Sequence, residues 1–526
     1  MKIHRRIPLI LFLIGTVLRF GDFIYNHSLW TDEAWVALDI VTRSFKEILL
    51  NDLSLIHLPA IPPIGFLILE KLTVTLWGNH EYALRLCPLV FGILAIFFYW
   101  ILSKKWAGYL TAIIALSFFV FTGSLIDYSA ECKQYSGEVF TAISLYLATG
   151  YFQNRTANVG RVLLFAMIGI FGLFISHTAI FILGGIAITQ ILFLFKDKDR
   201  KSKIGYFFVY SLWMISFILI YLFYLRGMLD QSSSMGRFCI NSSLTHFMPL
   251  DGIFSLDACA WLWKCFWEFF QDPLGLSPIF LAISMFILGA FGIFKSDKRI
   301  FSFLVIPFFL MIIASSLKMF PSFGRFLLFL IPAALLFISQ GISMVINKGR
   351  IGLFLGLMVF GVLIGQPMKK AIFNEINSTG QEEMRPLVGV LLKEQFPGDV
   401  IFMNDSAQYA YKYYLKYYHF ALAPIEDGYF NDGSVKESIM LVLNRTDSKE
   451  RMITWVQLYR KKSPLKLGES SFKQRTWIIL SHLYDRETEE FIKGCFDDRG
   501  KMLSVIKEPG ASLYLYELYQ PFTNNS

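Results

Sequence analysis

The stretch "SLWTDEAWVAL", Ser28 to Leu38, sets two adjacent carboxylates, Asp32 and Glu33, between Trp30 and Trp35, directly after the apolar run that opens the chain. A carboxylate at the edge of an apolar segment has an unspecific use, which is to cap the free N–H groups at the start of a helix. It also has a chemical one, accepting a proton from a hydroxyl nucleophile. A second acidic site lies further on. "IDYSAECKQYSGE" carries Glu131 and Lys133 where another span begins, so carboxylates from two loops are expected to meet over one cavity. Ionised groups at membrane depth are costly unless they have partners or a function.

The elements that must position these residues are membrane spans. Of 526 residues, 55% are hydrophobic and only 17% charged, with 53 Phe and a mean hydropathy of +0.51. That exceeds the apolar share of a soluble domain. The net charge of +9 comes from short basic clusters between apolar runs rather than from one basic face, which argues for a membrane protein and against a nucleic-acid partner. Eleven apolar runs are long enough to span, near 7–25, 84–102, 109–127, 136–151, 162–176, 178–195, 204–225, 276–294, 301–317, 326–346 and 351–367. The fifth and sixth form a tight hairpin at Ser176 and His177.

"MKIHRR", "SKKW", "NRTANVGR", "KDKDRKSK", "KSDKR" and "NKGR" then fall on one side of the membrane, the cytoplasmic side by the positive-inside rule. No small-residue cleavage site follows the first run, so it reads as a helix rather than a signal peptide. Outward-facing segments are the Asp32 loop within residues 26–83, the loop from Tyr128 to Tyr135, His177, the long loop 226–275, "LKMFPSFGR" and the tail. Stretches 33–50 and 62–77 are amphipathic and are expected to lie along the outer surface.

Residues 1–369 thus form the transmembrane domain. Residues 370–526 read as a soluble α/β domain, with strands at "GDVIFM", "RTWIILSH", "KMLSVIKE" and "SLYLYEL" and helices at "DSAQYAYKYYLKYY" and "SKERMITWVQLYRKK". The fold class is a multi-spanning α-helical membrane protein of about eleven helices with a C-terminal extracytoplasmic α/β domain. Cys239, Cys259, Cys265 and Cys495 face outward, where they would either pair or remain thiols.

Three stretches, "SLWTDEAWVALDI", then "HLPAIPPIGFLILEKLTVTLWGNHEYALRLCPLVFGILAIFFYWILSKK", then "YSAECKQYS", resemble the multi-spanning glycosyltransferases of the GT-C superfamily. Within it they are similar to the family 39 type, which includes protein O-mannosyltransferases and the transferase that adds aminoarabinose to lipid A. The likeness is looser after residue 150, through "ISHTAI", "PSFGRFLLFLIP" and "GDVIFMNDSAQYAYKYYL". It implies transfer of a sugar from a polyprenyl-phosphate carrier to a glycolipid, cell-envelope polymer or protein on the outer face of the plasma (inner) membrane.

On that reading Asp32 matches the family's general base, Glu33 assists it or binds a hydroxyl, and Glu131 contacts the sugar or orients the site. Lys133, Arg85 and Arg325 are candidates for the lipid phosphate; snorkelling to the headgroups is their alternative use. His57 sits in "HLPAIPP", where the family has His directly before Pro-Pro. His177, Tyr128 and Tyr135 would line the cavity or serve as ordinary polar and interfacial groups. The sequence requires no cofactor. No His/Asp/Glu cluster has metal-ligand spacing, so use of a divalent metal stays open. A lipid or glycan flippase would also have many helices and charged cavity residues, but it should show internal repetition, and the loops here are unequal.

Overall fold

A computed structural model describes residues 6–50, 62–152, 158–197, 200–225, 247–248, 255–376, 380–396, 399–404, 406–417, 429–432, 438–443, 473–483 and 486–519. Its fold is a multi-spanning helical membrane protein carrying a small C-terminal sheet. Two compact units emerge. The first holds residues 1–25, 43–78 and 82–378; the second holds 26–42, 79–81 and 379–526.

In the first unit each of the eleven apolar runs falls on a helix. These are α1 (Ile7–Tyr25), α5 (Glu81–Phe121), α7 (Tyr135–Phe152), α8 (Val159–Ile175), α9 (Ala179–Asp197), α10 (Arg200–Ile220), α12 (Ile279–Ser296), α13 (Lys298–Ser316), α14 (Ile331–Ile346) and α15 (Gly349–Ile376). Among the described residues, seven helices are long and apolar enough to cross a membrane, and Val159–Ile175 and Ala179–Phe193 are shorter apolar helices. Runs 84–102 and 109–127 share α5, which breaks at Gly108 (φ 83°), a conformation natural to glycine. The second of these runs stops at Phe121, short of its expected end, and a separate turn of helix, α6 (Gly123–Asp127), follows.

Helix packing here depends on small residues, because lipid offers no hydrophobic gain for helix association. A Cβ added at Gly289 on α12 would stand 2.6 Å from Gly341 N on α14, and closer still to the Phe337 carbonyl oxygen. The two backbones are therefore in direct contact. The Trp213 indole of α10 lies against Gly169 of α8 and donates to Ala166 O at 3.0 Å. The expected loop 226–275 contains a helix, α11 (Leu256–Gln271), started by Ser255 Oγ accepting from Ala258 N at 3.1 Å. Helices α3 (Phe45–Leu50) and α4 (Ile64–Trp77) also belong to this unit.

The second unit is built on a six-stranded mixed sheet, order β2-β3-β1-β4-β6-β5. Its strands are β1 (Val400–Asn404), β2 (Tyr429–Asp432), β3 (Ser438–Leu443), β4 (Gln474–Ser481), β5 (Gly500–Glu508) and β6 (Ala511–Leu518). β1 is parallel to β3 and β4, and the other pairs are antiparallel. Period-two alternation puts Val400, Phe402, Ile478, Leu480, Tyr514 and Tyr516 into one core with Ile492 and Phe496 of α18 (Arg486–Asp497). The helix expected over 448–462 lies outside the described residues. Helices α16 (Met384–Glu394) and α17 (Ala407–Tyr417) complete this unit, together with α2 (Thr31–Thr42), the helix of the acidic pair.

The expectation of an amphipathic surface helix fails for α2. Ala34, Val36, Ala37, Leu38, Ile40 and Val41 are all buried, as are Glu33 and Asp39, because the apolar residues surround the helix instead of forming one stripe. It packs on α17, where Trp35 meets Tyr409 edge to face with ring centroids 5.0 Å apart. Lys416 Nζ donates to Val41 O at 2.9 Å near the helix's last turn.

Candidate functional site

The first intrahelical bond of α2 runs from Ala34 N to Trp30 O at 2.8 Å, which makes Trp30 the N-cap and Thr31 the first helical residue. Asp32 is therefore one residue inside the helix. Tryptophan has no side-chain acceptor to cap with. The acceptor comes instead from Glu382, whose Oε2 takes Thr31 N–H and Thr31 Oγ1–H, each at 2.9 Å. Thr31 Oγ1 also reaches Ser406 O at 3.3 Å. The other oxygen of Glu382 is paired with His482 Nδ1, and the His482 ring stacks on Trp30 with centroids 6.3 Å apart. Half-buried Asp32 and buried Glu33 follow directly.

Just upstream, Glu383 Oε2 accepts from Ser28 N–H at 3.2 Å and Ser28 Oγ–H at 2.6 Å, and its Oε1 pairs with His27 Nδ1 at 3.1 Å. Burial alone would push this carboxyl up. The hydrogen bonds from His27 and Ser28 outweigh it and hold Glu383 down to about 2. Leu29 N–H donates to Tyr414 Oη at 2.7 Å. Arg385 donates from its backbone N–H to Ser28 Oγ at 3.1 Å, from Nη2 to Asn26 O at 2.8 Å, and from Nη1 to Glu81 Oε1 at 2.9 Å.

Within the first unit, the segment after α6 gathers four of the residues singled out from sequence. The Tyr128 and Tyr135 rings meet edge to face at 4.9 Å, and the Arg325 guanidinium lies 5.9 Å from the Tyr135 ring centroid. Burial raises the Tyr128 phenol far above its usual range; the Glu131 carboxylate adds to this and Arg325 opposes it, so both charges lie within electrostatic reach. Ser136 Oγ–H to Tyr128 O (2.9 Å) and Lys133 N–H to Glu131 O (2.7 Å) tighten the turn. Lys133 is buried at 8% exposure, and Arg85 at 3% in the first turns of α5, so neither is in the exposed position that snorkelling needs.

His177 lies in the turn between α8 and α9, with its ring centroid 6.3 Å from that of Tyr224. His57 lies outside the described residues. Two further carboxyls stand out that sequence reasoning passed over, Asp127 and Glu138. Burial raises the Asp127 carboxyl to about 6, with Lys370 opposing and Asp272 reinforcing the rise. Glu138, inside α7, hydrogen-bonds Thr178 and keeps Oε2 buried with no hydrogen-bond partner among the described residues. A carboxyl inside an apolar run was the available signal for Glu138. Asp127 sits at the edge of a run and gives none.

Among the described residues no group of three or more His, Cys, Asp or Glu side chains is placed to hold a metal ion. Cys87, Cys132, Cys259, Cys265 and Cys495 are free thiols; Cys239 lies outside the described residues.

No protein-family model matches the chain, and no curated protein matches it. Solved structures do. ArnT from Cupriavidus metallidurans bound to undecaprenyl phosphate is similar over 96% of this chain and 97% of its own, with TM-score 0.51 at 11% identity. The Archaeoglobus fulgidus oligosaccharyltransferase tethered to an acceptor peptide containing the NVT sequon is similar over 91% of this chain and 69% of its own, with TM-score 0.51 at 13% identity. The same enzyme in complex with Zn and sulfate gives TM-score 0.50 at 13% identity, over 90% and 68%. The chain thus shares the fold of these two proteins.

Proposed function

We propose that the protein is a membrane glycosyltransferase that moves a sugar from a polyprenyl-phosphate carrier to a hydroxyl acceptor on the outer face of the inner membrane, with inversion at the anomeric carbon. The acceptor is a glycolipid, a cell-envelope polymer or a protein. Asp32 takes the proton from the acceptor hydroxyl. The freed oxygen forms a bond to the anomeric carbon as the bond from that carbon to the phosphate oxygen breaks, its electron pair leaving with the lipid phosphate. Arg325 and Lys133 offset the charge developing on that phosphate, and Arg85 assists. Glu131, Tyr128 and Tyr135 contact the sugar, with Glu33 supporting Asp32.

One observation carries the assignment of Asp32. Its competing use was to cap α2, yet the N-cap is Trp30 and the capping acceptor at Thr31 N–H is Glu382. The carboxylate one residue further in is not needed for that bond. Extension of the fold likeness over nearly the whole chain supports the wider reading. Comparing the lipid-linked glycans of a deletion strain with those of its parent tests it. A polyprenyl-phosphate sugar should accumulate and one sugar should vanish from an envelope glycan or protein; identical profiles would overturn the reading.

A further inference from the structure

Residues 26–30 hold no regular secondary structure, and their placement, with that of Thr31 at the start of α2, decides where Asp32 points. Three of their backbone N–H groups, those of Ser28, Leu29 and Thr31, donate to side chains more than 350 residues away in sequence, on Glu383, Tyr414 and Glu382. Ser28 and Thr31 are 2% exposed, so losing these acceptors would leave donors buried without partners. The chain would have to shift to recover them. The two adjacent carboxylates are themselves fixed. Glu382 is held by His482, and Glu383 N–H donates to Pro509 O at 2.8 Å beside Gly510 (φ 65°), where a Cβ would come 3.0 Å from the Gln381 carbonyl carbon.

We infer that Glu382 and Glu383 are positioning residues that fix the start of α2 and thereby aim the Asp32 carboxylate. This rests on Asp32 being the general base. Glu382 supplies the acceptor for Thr31 N–H that the Trp30 side chain lacks, and Glu383 fixes the approach of the chain through Ser28 and His27. Capping from a distant segment makes the geometry of the base depend on the folded tail.

The test uses the full-length protein and, as donor, the polyprenyl-phosphate sugar extracted from membranes of the deletion strain. Glu382→Ala and Thr31→Val should lower kcat by about 10- to 100-fold, the effect of a displaced reacting group, while KM for the donor changes by less than about threefold. Thr31→Ser restores the hydroxyl donor and should return kcat to near the parental value. In an Asp32→Asn background Glu382→Ala should cost less than about twofold more, since no base remains to be aimed. A full additional loss there, or unchanged kcat in the single variants, would overturn the inference. If Glu382→Ala does not fold, the Thr31→Val and Thr31→Ser pair decides. Near-normal turnover by Asp32→Asn alone is a separate result, and it would remove the base assignment itself.

Discussion

Glu383→Gln perturbs the docking of residues 26–31 without removing bulk, and the size of its effect follows from the site. Hydrogen bonds from His27 and Ser28 bring the Glu383 carboxyl from an ordinary 4.5 down to about 2, against the pull of burial. At about 1.4 kcal/mol per pH unit the full effect would be about 3.4 kcal/mol. Solvent screening of a group that is not fully enclosed cuts this by somewhat more than half, to about 1.5 kcal/mol. A depressed carboxyl stabilises the fold fully above pH 4.5, and the contribution is lost as pH falls toward 2. Local opening of the 26–42 segment should therefore be about 10-fold more frequent in the Gln variant at pH 7. Hydrogen exchange by mass spectrometry, corrected for intrinsic rates, reads this from peptides covering Ser28 to Thr31. The parental protein should lose protection on acidification from 4.5 to 2, and the variant should lack that step. Equal protection of the two proteins at pH 7 would refute the reasoning.

Gly289→Ala should force α12 and α14 apart, since its Cβ would be 2.6 Å from Gly341 N, and thermal stability in detergent should fall by about 1–3 kcal/mol. An unchanged melting temperature would mean that the helices do not touch there. Arg325→Ala and Lys133→Ala should each slow transfer by some 30-fold, about 2 kcal/mol for a lost charged hydrogen bond. Lys133→Arg need not rescue, because the two cations differ in shape, and parental rates in both Ala variants would put the phosphate elsewhere. A reporter active only in the cytoplasm and fused after Gln366 should be silent; strong signal would mean that the helix count is wrong by one.

The spans were legible because hydropathy is a local property, and the four sheet strands quoted from the tail were legible as apolar runs of strand length among charged and turn residues. The division of α5 at Gly108 was visible as the basic, polar "SKKWAG" between two apolar runs. What determines the start of α2 was not visible. Its partners are Glu382, Glu383, Tyr414 and His482, and a "QEEMR" stretch 351 residues away reads alone as an exposed acidic turn. Nor does the pattern of α2 reveal how deeply it is buried, because Glu33 and Asp39, which read alone as solvent-facing, are buried beside its apolar residues. Of the site residues, the Tyr128, Glu131 and Tyr135 group was readable because it lies within eight residues of chain. Asp272 follows α11 and Lys370 lies in α15, and neither had a sequence signal tying it to Asp127.

The most direct test of the central claim is the turnover of Asp32→Asn. Asparagine keeps the size and the capping ability of aspartate and removes the base. With purified variants, the extracted polyprenyl-phosphate sugar as donor and donor binding measured in parallel, the variant should bind donor as the parent does while transfer falls by about 100-fold or more. Glu33→Gln and Glu131→Gln should lower the chemical step less. Transfer by Asp32→Asn at close to the parental rate would contradict the assignment of the general base and the account built on it.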